Sequence, residues 1–439
     1  MSPAAQGASV AGRRRLIGVV VVSGIASGLT GPLVSVAAVH LGAGGLGAGV
    51  AVAILQVPVI VLGLFGTRWL PRLPLRRTVT CAVALGAVGA GVAAAGSYPL
   101  LLTGRFAQGV GVVLLLGTAG YALVAREGRT GRGSGFGSFQ AAWFAGIAVG
   151  PVAALLVASA GGDLVRATFA TAAALAGLLA IVAALVLRDG PPGPRPQWGR
   201  PRGARPARRE LLLSGAGQAT RSGLAVTIVP LVGADRQLTG HQLILAVTVL
   251  GAVDVAAMLI ASRLPRRVDR RVAMVLACGW GVLALILLAL ARTPAQFILA
   301  CAVLGVTVGS TWVLPGSLVL DRALHVEAAF SWYRLSCDVG LLLGALAGGA
   351  LAASGPSRAL WLWTLPLLAT AVLACTIRSR GPGLPPSYPP AARFTAKTIT
   401  AKTITARSTT AKTATAGTTT AGTTTAKTPQ ETTSQEVVP

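Results

Sequence analysis

Apolar residues along this chain do not return at the period of a water-facing helix. They run on in long uncharged blocks broken by short clusters of Arg, Pro and Gly. A surface helix keeps one polar face, whereas a helix crossing a hydrocarbon core of about 30 Å needs roughly 20 consecutive apolar residues. Twelve blocks meet that length and predict spanning helices near residues 16–39, 46–66, 77–96, 99–124, 137–160, 166–187, 211–233, 241–262, 272–291, 294–317, 332–354 and 360–378. Between the sixth and seventh lies "RDGPPGPRPQWGRPRGARPARRE" (188–210), too rich in Pro, Gly and Arg to span a membrane. The expected organisation is an N-terminal stretch (1–15), a six-helix bundle (16–187), a basic linker (188–210), a second six-helix bundle (211–379) and a tail (380–439). The tail becomes a Thr/Ala run with scattered Lys, "TAKTITAKTITARSTTAKTATAG", and its lack of apolar periodicity predicts disorder.

Composition agrees with a membrane protein, since 53% of residues are hydrophobic and 11% charged, against about a quarter charged in soluble domains. The net charge of +26 raises the question of a nucleic-acid partner. Its placement answers that question. Thirty-one Lys and Arg fall in the N-terminus, the tail and the connections after even-numbered segments, and four (Arg166, Arg236, Arg292, Arg358) in the odd-numbered connections. Positive charge collects in cytoplasmic loops, so the bias is a topology signal: both termini cytoplasmic, an even number of spans, and no nucleic acid. The first block follows Arg13-Arg14-Arg15 and exceeds a signal-peptide core, so it is read as a retained helix. Arg in excess of Lys, with abundant Ala and Gly, points to a GC-rich bacterial genome and hence to the plasma membrane. Five isolated Cys and three scattered His show no metal-ligand spacing, so neither metal nor cofactor is expected.

Displacing the chain by 194 residues superimposes one half on the other. Leu70-Pro71-Arg72 and Arg76-Arg77 fall on Leu264-Pro265-Arg266 and Arg270-Arg271; Gly146 and Gly150 fall on Gly340 and Gly344; Phe136 falls on Phe330, and Ala158 and Gly161 on Ala352 and Gly355. The chain reads as a duplicated six-helix unit whose halves are related by an axis along the membrane normal. Halves so related place a site at their interface and expose it to each side in turn by rocking.

Charged side chains inside a bilayer cost at least about 2.5–3.5 kcal/mol and mark function by default. Here they are Arg105 in segment 4, Arg221 in segment 7, Asp254 in segment 8, and Arg334 with Asp338 on one face of segment 11. Arg221 and Asp254 lie at depths of roughly 15 and 12 Å from the cytoplasmic side, close enough to pair. A carboxylate exchanging an apolar for an arginine-paired environment changes its proton affinity. Asp254 or Asp338, with Arg221 or Arg334 as partner, is therefore a candidate proton carrier; a static pair fixing helix packing accounts for the same residues. Gln56, Gln108, Gln140, Trp143, Gln218, Trp312 and Tyr333 are candidates to contact substrate, or equally to face another helix.

Three motifs resemble the major facilitator superfamily across positions 13–380. "RFAQGVG", with Arg105, Gln108, Gly109 and Gly111, is similar to the family's R-x-x-Q-G-x-G element, whose arginine the resemblance links to proton coupling. Gly137, Gly146, Gly150 and Pro151 match G-x8-G-x3-G-P, the element of the drug:proton antiporter branch, with Ala154 where a last glycine belongs. "RWLPRLPLRR" (68–77) resembles the loop after the second helix. Pro71 stands where the family has Asp and Pro74 where it has its second Gly, while Arg68, Arg72, Arg76 and Arg77 remain, repeated as Arg266, Arg270 and Arg271. The resemblance implies an all-α fold of twelve transmembrane helices in two bundles. It further implies a monomeric secondary transporter without enzymatic activity, with segment 5 packed on segment 8. The glycine–proline element favours proton-coupled efflux of a hydrophobic or amphiphilic molecule. The absence of an acid in segment 1 leaves open uptake of a small nutrient by symport.

Membrane catalysis is the rival class, but bases with oriented partners are missing from the spans. "GRTGRGSGFG" (128–137) lacks the phosphate-binding G-x4-G-K-[ST] spacing and is expected to be a short cytoplasmic loop.

Overall fold

The computed structural model describes residues 3–66, 73–126, 128–159, 163–188, 208–264, 268–321 and 326–377, and every regular element among them is helical. Twelve spans follow the apolar blocks. α1 runs Pro3–Thr30, passes through a 3₁₀ turn at Gly31–Leu33 and ends as Val34–His40. α2 comprises Gly45–Ala53 and Gln56–Gly66. α3 is Leu75–Ala93, α4 Tyr98–Arg126, α5 Gly128–Ser159 and α6 Leu164–Val186. In the second half α7 joins Arg208–Thr220, a π-helix at Arg221–Ile228, and Val229–Asp235. α8 is Gly240–Ser262, α9 Arg270–Leu290, α10 Pro294–Asp321 and α11 Val326–Ala353, with α12 formed by Pro356–Leu362 and Thr364–Thr376.

Among the described residues, eleven helices are long and apolar enough to cross a bilayer unaided. α7 completes the twelve, but its π-helix divides it into shorter pieces. A wide π turn leaves carbonyls displaced from the α ladder, and the Thr227 hydroxyl donates to one of them, Ser222 O, at 2.9 Å. Such turns are rare and recur at functional sites.

One expected loop is not a loop. Residues 128–137 form the first turns of α5, despite five glycines. Intrinsic propensity is a weak prior, and a backbone entering the bilayer gains most from closing its own hydrogen bonds.

Helix contacts depend on missing side chains. With no hydrophobic drive between helices in lipid, association relies on close backbone approach at small residues. Gly24 of α1 lies against the Trp143 carbonyl and Gly146 of α5, Gly28 against the Ile147 carbonyl, and Gly150 against Gly28; a Cβ at any of them would strike backbone. Pro151 removes the amide that would bond that same Ile147 carbonyl, and Gly28 occupies the opening. The second half repeats the joint between α7 and α11, where Gly340, Gly344 and Gly348 lie on Gly215, Ala219 and Gly223. The contact of Gly146 with Val21 and that of Gly340 with Gly215 are displaced by the same 194 residues.

The halves meet on one face. Gly45 and Gly49 of α2 lie against Ala345, Gly349 and Ala353 of α11, and the Ser35 hydroxyl donates to Val226 O at 3.1 Å. The largest buried cluster draws Val34, Ala48 and Ala51 together with Leu224, Val232 and Ala352, toward the odd-numbered connections. Toward the even-numbered, arginine-rich ends the cores are separate. Leu16, Val19, Leu123 and Phe139 belong to a cluster wholly of the first half, and Leu213, Met274, Leu314 and Leu318 to one wholly of the second.

Candidate functional site

Where the joined seam gives way to the two separate cores, the second half places an ion pair. Arg221 leaves α7 at the first residue of the π-helix and meets Asp254 of α8, Nη2 to Oδ2 at 2.7 Å and Nη1 to Oδ1 at 3.3 Å. Two parallel N–H···O contacts of this kind fix orientation as well as charge. Asp254 is buried at 2% exposure. It lies about 21 Å along α8 from the helix start, near mid-bilayer.

Two rings cover the guanidinium. Trp312 of α10 lies 5.1 Å from Arg221 Cζ by its centroid and Phe144 of α5 lies 6.0 Å away. The rings meet edge to face, at 4.6 Å and 77°. A cation over an aromatic face gains about 0.5–2 kcal/mol, more where water is excluded. Phe144 belongs to the first half, so this contact crosses the seam. Behind it the Tyr333 hydroxyl donates to Trp312 O at 3.1 Å.

A second polar group lies inside the first half. Arg105, at 7% exposure, donates from Nη1 to Gln108 Oε1 at 2.7 Å, and its Nε has no partner. Gln108 and Trp143 line a chamber shared by α1, α3, α4, α5 and α6, with Ser23 and Ser27 on its wall. Arg334 and Asp338 form a third, looser pair, Nε to Oδ2 at 3.6 Å.

The other expected residues scatter. Gln218 is buried with Oε1 unpartnered, and Gln56 is half-buried. The Gln140 side chain, and Arg68, Arg72 and Arg266, lie outside the described residues. Arg76 and Arg77 are exposed at the start of α3. Arg270 and Arg271 open α9, where Arg271 bonds Asp269 and donates to Ile377 O at 2.7 Å. Among the described residues no group of His, Cys, Asp and Glu could hold a metal.

Segment 5 packs on segment 8, as the resemblance implies, and on α1 as well: Gly146 and Gly150 close on α1, where Gly24 and Gly28 present bare backbone to them. Pro151 and Ala154 are the motif residues that reach α8, at Leu243, Ile244 and Val247, while Gly137 lies upstream in the opening turns of α5. The Gly24/Gly28 spacing is visible in the sequence and was the missing partner. Nothing in the sequence singles out Phe144 or the π turn.

The sequence matches the family model described as Major Facilitator Superfamily over residues 16–217 and again over 211–426. No curated protein matches it. Solved structures do. A D-xylose–proton symporter shares 13% identity at a TM-score of 0.67, over 84% of this chain and 98% of its own. A bacterial homologue of the human lysosomal transporter Spinster, inward-facing and occupied, gives 13%, 0.63, 85% and 95% by the same measures. The nucleoside transporter NupG gives 15%, 0.62, 83% and 98%. At such identities the likeness is one of fold.

Proposed function

The chain belongs to the Major Facilitator Superfamily, a family of membrane transporters, and from that premise we propose that it exports a hydrophobic or amphiphilic small molecule against protons by alternating access. The observation that carries this reading is the Arg221–Asp254 pair of one half covered by Phe144 of the other, at the inner end of a seam closed on one face. With the arginine-rich face cytoplasmic, the conformation is inward-facing. Rocking the halves withdraws Phe144 and changes the medium around Asp254. Its proton affinity changes with that medium, which couples proton exchange to the swing. Arg334–Asp338 is the subordinate pair, and Trp312 and Tyr333 shape the substrate side of the site.

Proton-driven uptake is the second reading. The absence of any Asp or Glu from α1 favours it, since the resemblance places an acid there in many drug:proton antiporters. Proteoliposomes holding a pH dye, given a panel of amphiphilic acids, bases and neutral compounds, test both. Substrate should set protons moving, oppositely to substrate for export and with it for uptake, and Asp254→Asn should abolish the movement. Undiminished proton movement in that variant, at equal protein level, removes Asp254 from the mechanism.

A further inference from the structure

Resting on the reading of the protein as a carrier of amphiphiles, we infer that the chamber inside the first half is a subsite for the carboxylate of an anionic amphiphile. The charge inventory comes first. Away from the ends of the apolar membrane-crossing stretches, Arg105 is the one charged side chain of the first half, and no carboxylate exists there to match it. Residues 1–126 contain no Asp or Glu, and the spans of α5 and α6 contain none either. A buried guanidinium normally has an anionic partner.

Hydrogen bonding points the same way. Among the described residues Arg105 makes one bond, to the Gln108 carbonyl oxygen, and its Nε is unsatisfied. Gln108, 9% exposed, thereby has its amide N–H₂ left to donate, and it faces the chamber. Ser23, 8% exposed on the same wall, has a buried hydroxyl with no partner. Buried polar atoms are nearly always paired, so each exception asks for a missing acceptor. The remaining wall is small and apolar, with Ala82, Gly86, Ala90, Val112 and Leu115, and Trp143 adds an indole face. The Gln108 amide on the wall, the Arg105 guanidinium bonded to that same side chain from behind, and an apolar lining together fit a carboxylate with a hydrocarbon or aromatic body. A cationic amphiphile would meet only like charge.

The chamber also adjoins the seam. Trp143 lines it, and the next residue, Phe144, touches Arg221 and Trp312. A ligand pressing on this turn of α5 acts on the contact that covers the ion pair.

Equilibrium binding of radiolabelled benzoate to the purified full chain, without any gradient, tests the subsite. Saturable binding is expected, competed by unlabelled benzoate and at least tenfold less by benzyl alcohol or chloride. Gln108→Glu places a carboxylate beside Arg105. It should lower benzoate affinity at least tenfold while the melting temperature holds or rises, which separates lost binding from lost fold. Equal competition by benzyl alcohol overturns the charge requirement, and equal competition by chloride makes the site one for a free inorganic ion. Unchanged binding in Gln108→Glu, or no saturable binding in the wild type, overturns the inference outright. Benzoate bound without coupled transport would instead sink the transport reading and leave the subsite standing.

Discussion

In the first half the buried guanidinium of Arg105 faces an amide, whereas in the second Arg221 holds Asp254 at 2.7 Å and Arg334 lies 3.6 Å from Asp338. The helical joints of the two halves match across a shift of 194 residues, yet their polar interiors do not. Packing of small residues is a constraint on backbone approach and both copies obey it. Buried charge is not needed for that packing, so it is free to differ: carboxylates pair the buried arginines of the second half, and none pairs Arg105 in the first.

The largest effect should expose that asymmetry directly. Asp254→Leu strips Arg221 of its partner, and breaking a buried pair from one side costs about 3–5 kcal/mol. Arg105→Met removes a buried charge that lacks a partner carboxylate and should leave stability unchanged or raised. Thermal labelling of the buried thiols Cys278, Cys301 and Cys337 reports unfolding. Equal losses in the two variants would mean that Arg105 is as well compensated as Arg221, and the contrast between halves would collapse.

What the halves share should break alike in both. Gly150→Val drives side-chain atoms into Gly28, and Gly344→Val into Ala219. Overpacking typically costs about 1–3 kcal/mol, more where only backbone stands in the way. Gly18, which has open space where a side chain would stand, is the control, and Gly18→Ala should gain slightly, since Ala is about 1 kcal/mol the better helix former. Melting temperatures that fall in one half only would show that the two joints are not equivalent supports.

The span boundaries were legible because a hydrocarbon layer imposes a length and forbids charge: eleven apolar spans begin and end within a few residues of their blocks, while α1 and α5 run on for about two to four further turns at their N-terminal ends. The Arg221–Asp254 pair was legible for the same reason: rare charges at similar depth have few partners available. Phe144 was not, because an aromatic residue in an apolar helix looks the same whether it faces lipid, a neighbour or the other half. That Gly146 and Gly150 also close on α1 was not legible, because a stripe of small residues specifies close approach without naming what approaches. The π-helix at Arg221–Ile228 has no period of its own to read, and the opening turns of α5 show a context overriding glycine propensity.

The smallest effect concerns the loops that the two copies keep before α3 and α9. Asp269 caps α9, accepting from the Arg271 amide at 3.0 Å and from its guanidinium, whereas α3 begins after Pro74 with no side-chain cap. The hydrogen bond from the Arg271 side chain holds the Asp269 carboxyl below its ordinary range. A carboxyl depressed in the folded state adds stability that is complete above its unfolded value of about 3.9. That stability disappears as pH falls through the lower folded value. Both side chains are partly in water, at 39% and 23% exposure, so the pair is worth at most about 1 kcal/mol. Asp269→Asn keeps a good cap but loses the charge, so its melting temperature should fall slightly at pH 7 and converge on the wild type below pH 4. Asp269→Ala loses the cap as well and should stay lower at every pH. A gap between wild type and Asp269→Asn that persists undiminished in acid would show that the cap geometry, rather than the charge, distinguishes this end of the second half from its counterpart.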